Sequence, residues 1–310
     1  MTTTVPRVIV APAGMRDWLK DAVIAGGGVV VDDAADADAV IWTSPRDPDG
    51  LKRLLAHAPH LRWVQLPWAG IEHYTGILDR ERTWTAGQGI YADDVAEHIL
   101  ALTLAALRDL KRRATATTWQ PPSGRSLRGA KVTVFGAGGI TRALVPLLQP
   151  FDVELTVVRR RPEPFADAAR TLTASSKAEV ISAVRGADVV ILALSLTPAT
   201  AGLVDAEVLA AMSSSTVLVN VARGAHVDTT ALVQALSSGA LGAAAVDVTD
   251  PEPLPDGHPL WRLPNCLITP HCANTPEMAV PVLTKRVVDN VGRFARGEPL
   301  LGLIDVDAGY

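Results

Sequence analysis

Groups able to do chemistry recur in this 310-residue chain just after short apolar runs. The run Lys131–Phe135 is followed by Gly136-Ala137-Gly138-Gly139-Ile140, and Val153–Val158 by Arg159-Arg160-Arg161. Asp188–Leu194 leads into Ser195-Leu-Thr197-Pro198, and Thr216–Val221 into Ala222-Arg223-Gly224. Asp247 closes the run Gly242–Asp247, Glu252 stands shortly beyond it, and His271 follows Cys266–Thr269. Glycines of this kind let backbone amides close on a phosphate, and guanidinium forks match carboxylates and phosphates. An imidazole beside a carboxylate moves protons near neutral pH, because the carboxylate orients the ring and favours its charged form. If the six runs are parallel strands, their carboxyl ends gather all these groups along one sheet edge, where open α/β sheets bind ligands.

The glycine cluster has the strand-to-helix setting of a dinucleotide fingerprint. Gly136 serves the tight turn, Gly138 the close approach of backbone to pyrophosphate, and Thr141 stands where a third glycine usually allows close packing. An acid some 20 residues further on usually holds a ribose hydroxyl. Here the position 23 residues after Gly136 is Arg159, with Arg160 and Arg161 following. The run reads either as a clamp for a 2′-phosphate, which predicts NADP in preference to NAD, or as a solvated basic turn partly neutralised by Glu163.

The elements that must hold these groups alternate between apolar runs and helical stretches, the pattern of a parallel sheet covered by helices. Helices are predicted near Ile140–Leu148, Ala178–Val184, Asp205–Met212, Thr229–Ser238 and Glu277–Arg296. The proline-rich Asp250–Pro264 is read as a loop. The first hundred residues give a smaller set: strands at Val8–Ala11, Val29–Val31, Ala39–Trp42 and Arg62–Leu66, and helices near Met15–Ala25 and Leu51–His57. Val95, Ile99, Leu102, Ala106 and Leu110, spaced by three or four, then predict one long helix, whose apolar face serves either the core or an interface. Gln120–Gly124 reads as a linker.

Composition narrows the class. Hydrophobic residues make up 48% and charged residues 20%, as in globular chains, and the net charge of −4 disfavours a nucleic-acid binder. No apolar run nears the ~18 residues of a membrane helix, so no membrane partner is expected. The start, Met1-Thr-Thr-Thr-Val-Pro-Arg7, lacks the pattern of a secretory signal. Two cysteines, Cys266 and Cys272, suit a reducing compartment, and a cytoplasmic location is expected. His271 beside Cys272 has no second ligand pair at finger spacing, so no metal is expected.

Taken in order, the chain resembles the D-isomer-specific 2-hydroxyacid dehydrogenases over nearly its whole length. The resemblance is carried by Val95-Ala-Glu97-His98, Gly136-Ala-Gly138, Leu196-Thr-Pro-Ala-Thr200, Val219-Asn-Val-Ala-Arg-Gly224, Asp247-Val-Thr-Asp-Pro-Glu-Pro253, His258-Pro-Leu-Trp261 and Thr269-Pro-His271. Thr141 and Arg159 depart from the commonest NAD-type pattern.

The resemblance implies an α/β fold: a Rossmann-type doubly wound parallel sheet, residues 98–277, inserted into a smaller flavodoxin-like α/β substrate domain, residues 1–97 and 278–310. It implies Arg223 as the clamp on substrate carboxylate and carbonyl, His271 as general acid/base and Glu252 as its partner. The cofactor would meet Gly136, Ala137, Gly138, Gly139, Ile140, Arg159, Arg160, Ser195, Thr197, Val221, Ala222, Asp247 and His271. Asp247 is open between holding the nicotinamide carboxamide and capping a turn. Trp68-Ala69-Gly70-Ile71 resembles the loop whose amides receive the substrate carboxylate, or is an ordinary strand-to-helix turn. Trp68 would then limit substrate size, as would Tyr91. The other six histidines, His98 and His226 among them, are read as core or surface residues. The implied activity is reduction of a small 2-oxo acid of the glyoxylate or hydroxypyruvate kind, in a homodimer without a further regulatory domain. A dinucleotide-sensing corepressor-like protein is the alternative. Formate oxidation on a related scaffold would not need the His–Glu pair.

Overall fold

The structure is a computed structural model that describes residues 4–309. Residues 1–3, part of the stretch on which the absence of a leader was judged, lie outside the described residues. The chain divides into two compact units, one formed by residues up to Tyr91 together with those from Thr275, the other by Ala92–Asn274.

The first unit is built on β1 (Arg7–Ala11), α1 (Leu19–Ala25), β2 (Val29–Val30), β3 (Ala39–Trp42), α2 (Pro48–His57), β4 (Trp63–Gln65) and β5 (Thr83–Thr85). Its sheet runs β2-β1-β3-β4-β5 with every pair parallel. Successive side chains of a strand face opposite sides. Accordingly Val8, Val10 and Ile41 pack with Leu19 and Val23 of α1, while Ile9, Val40 and Trp42 pack with Leu51 and Leu55 of α2. Both faces being covered explains why these strands read as continuous apolar runs.

The second unit opens with α3 (Ala92–Leu107) and α4 (Leu110–Ala114). The single helix expected through Leu110 is broken: Asp109 takes a left-handed conformation, φ 58°, and Leu110 beyond it is exposed. Val95, Ile99 and Leu102 are buried, and α3 packs inside its unit, so this stripe belongs to the core. Next come β6 (Lys131–Phe135), α5 (Gly139–Leu148), β7 (Glu154–Val158), β8 (Arg170–Leu172), α6 (Lys177–Val184), β9 (Val189–Leu192), α7 (Ala206–Ala211), β10 (Val217–Asn220), α8 (Thr229–Ser238), β11 (Ala243–Val246), α9 (Pro259–Arg262) and β12 (Cys266–Ile268). The last helix, α10 (Pro276–Arg296), belongs to the first unit, where Leu283, Val287 and Val291 cover Val8 and Val10.

The second sheet is ordered β12-β11-β10-β9-β6-β7-β8, again wholly parallel. The chain starts in the middle at β6, winds outward through β7 and β8, then returns to β9 on the other side. That reversal is the doubly wound arrangement, and it leaves a crevice at the carboxyl ends of β6 and β9. Local signals start the covering helices. Ser176 and Glu179 form a reciprocal capping box on α6, and Asp205 and Asp228 accept first-turn amides of α7 and α8. Strands β5 and β8, of three residues each, were not expected from sequence, and Gln120–Gly124 links α4 to β6 within the second unit. Among the described residues no helix is long and apolar enough to cross a membrane.

Candidate active site

The turn after β6 is the first feature built for a ligand. Gly136 has φ +115°, and a Cβ there would lie 2.1 Å from the Ala193 carbonyl oxygen, so glycine alone lets β6 and β9 approach at the crevice. Gly138, the residue before α5, faces open space, because a Cβ there would meet nothing within 4 Å. No side chain caps α5, which leaves its first-turn amides for an anion. Thr141 is buried, and its hydroxyl donates to the Gly136 carbonyl at 2.9 Å. Thus the residue at the third glycine position fixes the turn by a hydrogen bond. This cradle fits a pyrophosphate, with Ala137, Gly139 and Ile140 as its backbone.

Arg159 follows β7 and is drawn into its own turn, donating to the Glu163 carbonyl at 3.0 Å, with that residue's carboxylate 4.0 Å away. Arg160 and Arg161 are exposed beside it. After β9, the Thr200 hydroxyl donates to the Ser195 carbonyl at 2.8 Å and receives the Thr197 amide at 2.8 Å. His226, read as a core or surface residue, is buried in the core and bonds the carbonyls of Thr200 (2.8 Å) and Leu194 (3.3 Å). It ties the loop after β9 to the turn after β10.

That turn carries Val221, Ala222 and Arg223. The Asn220 side chain spans it, accepting from the Ala222 amide at 3.0 Å and donating to the Arg223 carbonyl at 2.9 Å. The Arg223 guanidinium donates to the Ala222 carbonyl at 2.7 Å. Beyond it, a Cβ on Gly224 would lie 2.0 Å from the Thr249 backbone. The Arg223 turn therefore runs directly against the loop that leads to Glu252.

Glu252 and His271 meet, with Nδ1 2.9 Å from a carboxylate oxygen. The His271 side chain is 47% exposed, and Nε2 is the ring nitrogen that Glu252 does not engage. His271 itself has φ 51°, a conformation uncommon for a side chain of this size. Its amide donates to the Asp247 carbonyl at 2.7 Å. The Asp247 carboxylate accepts the amides of Cys272 (2.9 Å) and Ala273 (3.0 Å) and the Thr269 hydroxyl (2.6 Å). His98 Nε2 lies 3.4 Å from it and 3.1 Å from the Thr269 hydroxyl. Burial alone would raise this carboxyl; the bonds from His98, Thr269 and the two amides outweigh it and hold the group at about 2. Of the two roles open to Asp247, its carboxylate performs the turn-capping one. His98, read as a core or surface residue, belongs to this network. The signal was its place in the Glu97-His98 pair. His98, Asp247 and Cys272 place possible metal-ligating atoms within 4.8 Å of one another, though donors already occupy the carboxylate.

In the first unit, Trp68 leaves β4 half-buried and stacks on Tyr74, ring centroids 6.1 Å apart. Its carbonyl accepts the Gly87 amide at 2.7 Å, and Tyr91 donates to the Pro67 carbonyl at 2.5 Å. Burial pushes the Tyr91 phenol up to about 12, so it stays a donor. Among the described residues the amides of Ala69 and Gly70 donate to no acceptor. A carboxylate would fit them.

Comparison with known proteins places this arrangement. Residues 98–273 match the model of the D-isomer specific 2-hydroxyacid dehydrogenase NAD binding domain. The chain is 39% identical over 300 residues to an uncharacterised protein encoded beside proB in Corynebacterium melassecola, covering 93% of this chain and 95% of that one. It is 32% identical over 264 residues to human glyoxylate reductase/hydroxypyruvate reductase, covering 80% and 79%. Its fold is similar to a D-isomer specific 2-hydroxyacid dehydrogenase of Xanthobacter autotrophicus solved with NADPH and MES, with TM-score 0.85, 26% identity and coverage of 99% and 100%.

Proposed function

The chain belongs to the D-isomer specific 2-hydroxyacid dehydrogenase family, and from that premise we propose that it reduces a small 2-oxo acid of the glyoxylate or hydroxypyruvate kind with NADPH. The observation that carries the reading is the His271–Glu252 pair at 2.9 Å, on the same sheet edge as the Arg223 turn and the Gly136 cradle. The NADPH held by the Xanthobacter relative and the Arg159–Arg161 run support NADP as the cofactor. Gly136 to Ile140 would receive the pyrophosphate, Arg159 and Arg160 the 2′-phosphate, and Ser195, Thr197, Val221 and Ala222 the nicotinamide half. Asp247, just past β11 and beside the β10 turn that carries Val221 and Ala222, would take its carboxamide as well.

When bound, the nicotinamide supplies a hydride to the carbonyl carbon. The rest falls to the chain. Arg223 engages the substrate carboxylate and carbonyl with its planar fork, fixing the carbon under attack. His271, protonated, gives its Nε2 proton to the oxygen as negative charge develops there. Glu252 holds the ring by Nδ1 and stabilises the imidazolium before transfer. In the reverse oxidation a neutral His271 removes the hydroxyl proton. The first unit would be the substrate domain. Its strand order supports a flavodoxin-like reading, with the amides of Ala69 and Gly70 receiving the carboxylate and Trp68 limiting size. We take the working form to be a homodimer, which a sedimentation measurement checks.

The decisive experiment mixes the purified protein with NADPH or NADH and a panel of 2-oxo acids, followed by nicotinamide absorbance. Turnover of at least one short 2-oxo acid, faster with NADPH, is expected. Tight NADPH binding with turnover of none would favour the corepressor-like alternative and overturn the reading.

A further inference from the structure

The sheet of the first unit also reverses its winding direction. The chain leaves β1 for β2 on one side and returns to β3 on the other, so a crevice opens at the carboxyl ends of β1 and β3. The loop after β1 enters that crevice edge with a cation. Arg16 has φ 58°, a left-handed conformation that few side chains of this size adopt. Its guanidinium is half-buried and lies 5.6 Å from the centroid of the Trp68 ring, within the range of a cation–π contact. Its charge also reaches the Tyr91 phenol.

What the guanidinium lacks is an anion. Among the described residues the Arg16 side chain makes no hydrogen bond or ion pair. The neighbouring acid, Asp17, is turned back on its own loop, accepting the Gly14 amide at 3.1 Å with Lys20 3.8 Å away. Arg286, the other cation near Tyr91, is occupied by the carbonyls of Ala86 (2.9 Å) and Gln88 (3.1 Å). Five donors in a planar fork are therefore held within cation–π range of an indole. The indole belongs to the residue just before the unsatisfied amides of Ala69 and Gly70. A half-buried guanidinium fixed this way is a preorganised receptor for a carboxylate.

We infer that Arg16, in cation–π range of Trp68 at the edge of the substrate loop, reads a second carboxylate at the far end of the substrate, so that the protein favours 2-oxo dicarboxylic acids over monocarboxylic analogues of equal length. This inference rests on the reading that the Trp68–Gly70 loop receives the substrate. The first carboxylate would meet the loop amides, and the second would be held by the Arg16 fork.

The test compares kcat/KM for 2-oxobutanedioate with 2-oxobutanoate, and for 2-oxopentanedioate with 2-oxopentanoate, in the wild type, Arg16→Gln and Arg16→Lys. Binding of malonate and propanoate to the cofactor-loaded protein is measured alongside by calorimetry. The wild type is expected to favour a dicarboxylate by about tenfold to a hundredfold, the range of charge-assisted hydrogen bonds. Arg16→Gln should remove most of that ratio, and Arg16→Lys should keep only part, having the charge without the fork. The malonate-over-propanoate gap should shrink in the same order. A wild type that reduces monocarboxylates without favouring dicarboxylates, or a ratio undiminished in Arg16→Gln, overturns the inference and leaves the oxidoreductase reading standing. A protein that reduces no 2-oxo acid overturns that reading instead, and the malonate gap then decides the role of Arg16: equal affinities for malonate and propanoate refute it.

Discussion

The two sheets end in edges of different construction. At the edge of the second sheet the polar side chains around Arg223 and His271 are held by others. Asn220 spans the Arg223 turn, His226 joins two loops, Thr141 fixes the Gly136 turn, and Asp247 gathers Thr269, Cys272 and Ala273 beneath His271. The edge of the first sheet presents rings and cations, with Trp68 stacked on Tyr74 and Arg16 in cation–π range of Trp68. Networks of satisfied hydrogen bonds fix atoms within fractions of an ångström, as proton transfer requires. Stacked rings and a cation fill space and sense charge, which suits choosing among substrates. The contrast predicts that substitutions at the second edge cost rate for every substrate alike, whereas those at the first change which substrate is preferred.

His271→Ala bears hardest on that division. Turnover should fall by roughly 10²–10⁴-fold, the usual worth of a positioned general acid, while NADPH still binds by fluorescence titration. The loss should be the same factor for every 2-oxo acid. A wild-type rate would reject the assignment, and a loss that varied strongly among substrates would break the division between the edges.

Asp247→Asn comes next. The Asp247 carboxyl ordinarily titrates at 3.8 and is held at about 2 in the fold. Its ionised form is the one the fold prefers, so its contribution is fully present above about pH 4 and is lost as pH falls through about 2. The depression corresponds to roughly 2 kcal/mol. Asn keeps one acceptor but turns an amide group toward donors, so denaturant unfolding at pH 7 should show a loss of about that size. The gap between variant and wild type should close as pH falls from 4 toward 2. A gap unchanged across that window would mean that the carboxylate is not what holds the His271 turn.

Much of this was legible in the sequence, for a physical reason. Buried parallel strands write themselves as apolar runs, so β6, β7, β9, β10, β11 and β12 stood out, and the residues just past them had to share an edge. Elements that do not declare themselves by period were missed. Strands β5 (Thr83–Thr85) and β8 (Arg170–Leu172) are mostly polar, so no apolar run marks them. The break at Asp109 is a single backbone conformation inside an unbroken helical spacing. The supporting side chains were hidden for another reason. His98 and His226 act through loops far away in sequence, and only the fold brings His98 to Thr269 or His226 to Leu194. Arg16 was passed over because nothing in its neighbours announces that it lacks an anion.

Arg159 sharpens the comparison, because it stands on the second edge yet is built like a residue of the first. Among the described residues its side chain, 19% exposed, is bound only within its own turn, to the Glu163 carbonyl and at longer range to that carboxylate. No network locks it, so it should choose rather than accelerate. An aspartate there would repel a 2′-phosphate and accept from a ribose hydroxyl instead. Arg159→Asp should therefore shift the NADPH-to-NADH ratio of kcat/KM toward NADH by about tenfold or more, the loss of a charge-assisted bond plus a like-charge repulsion. The kcat measured with saturating NADH should change little, because the side chain does not reach the reacting atoms. An unchanged ratio would make the Arg159–Arg161 run the solvated basic turn of the plainer reading, with the choice of cofactor left to other residues. A large fall in kcat with both cofactors would put Arg159 among the residues that set rate.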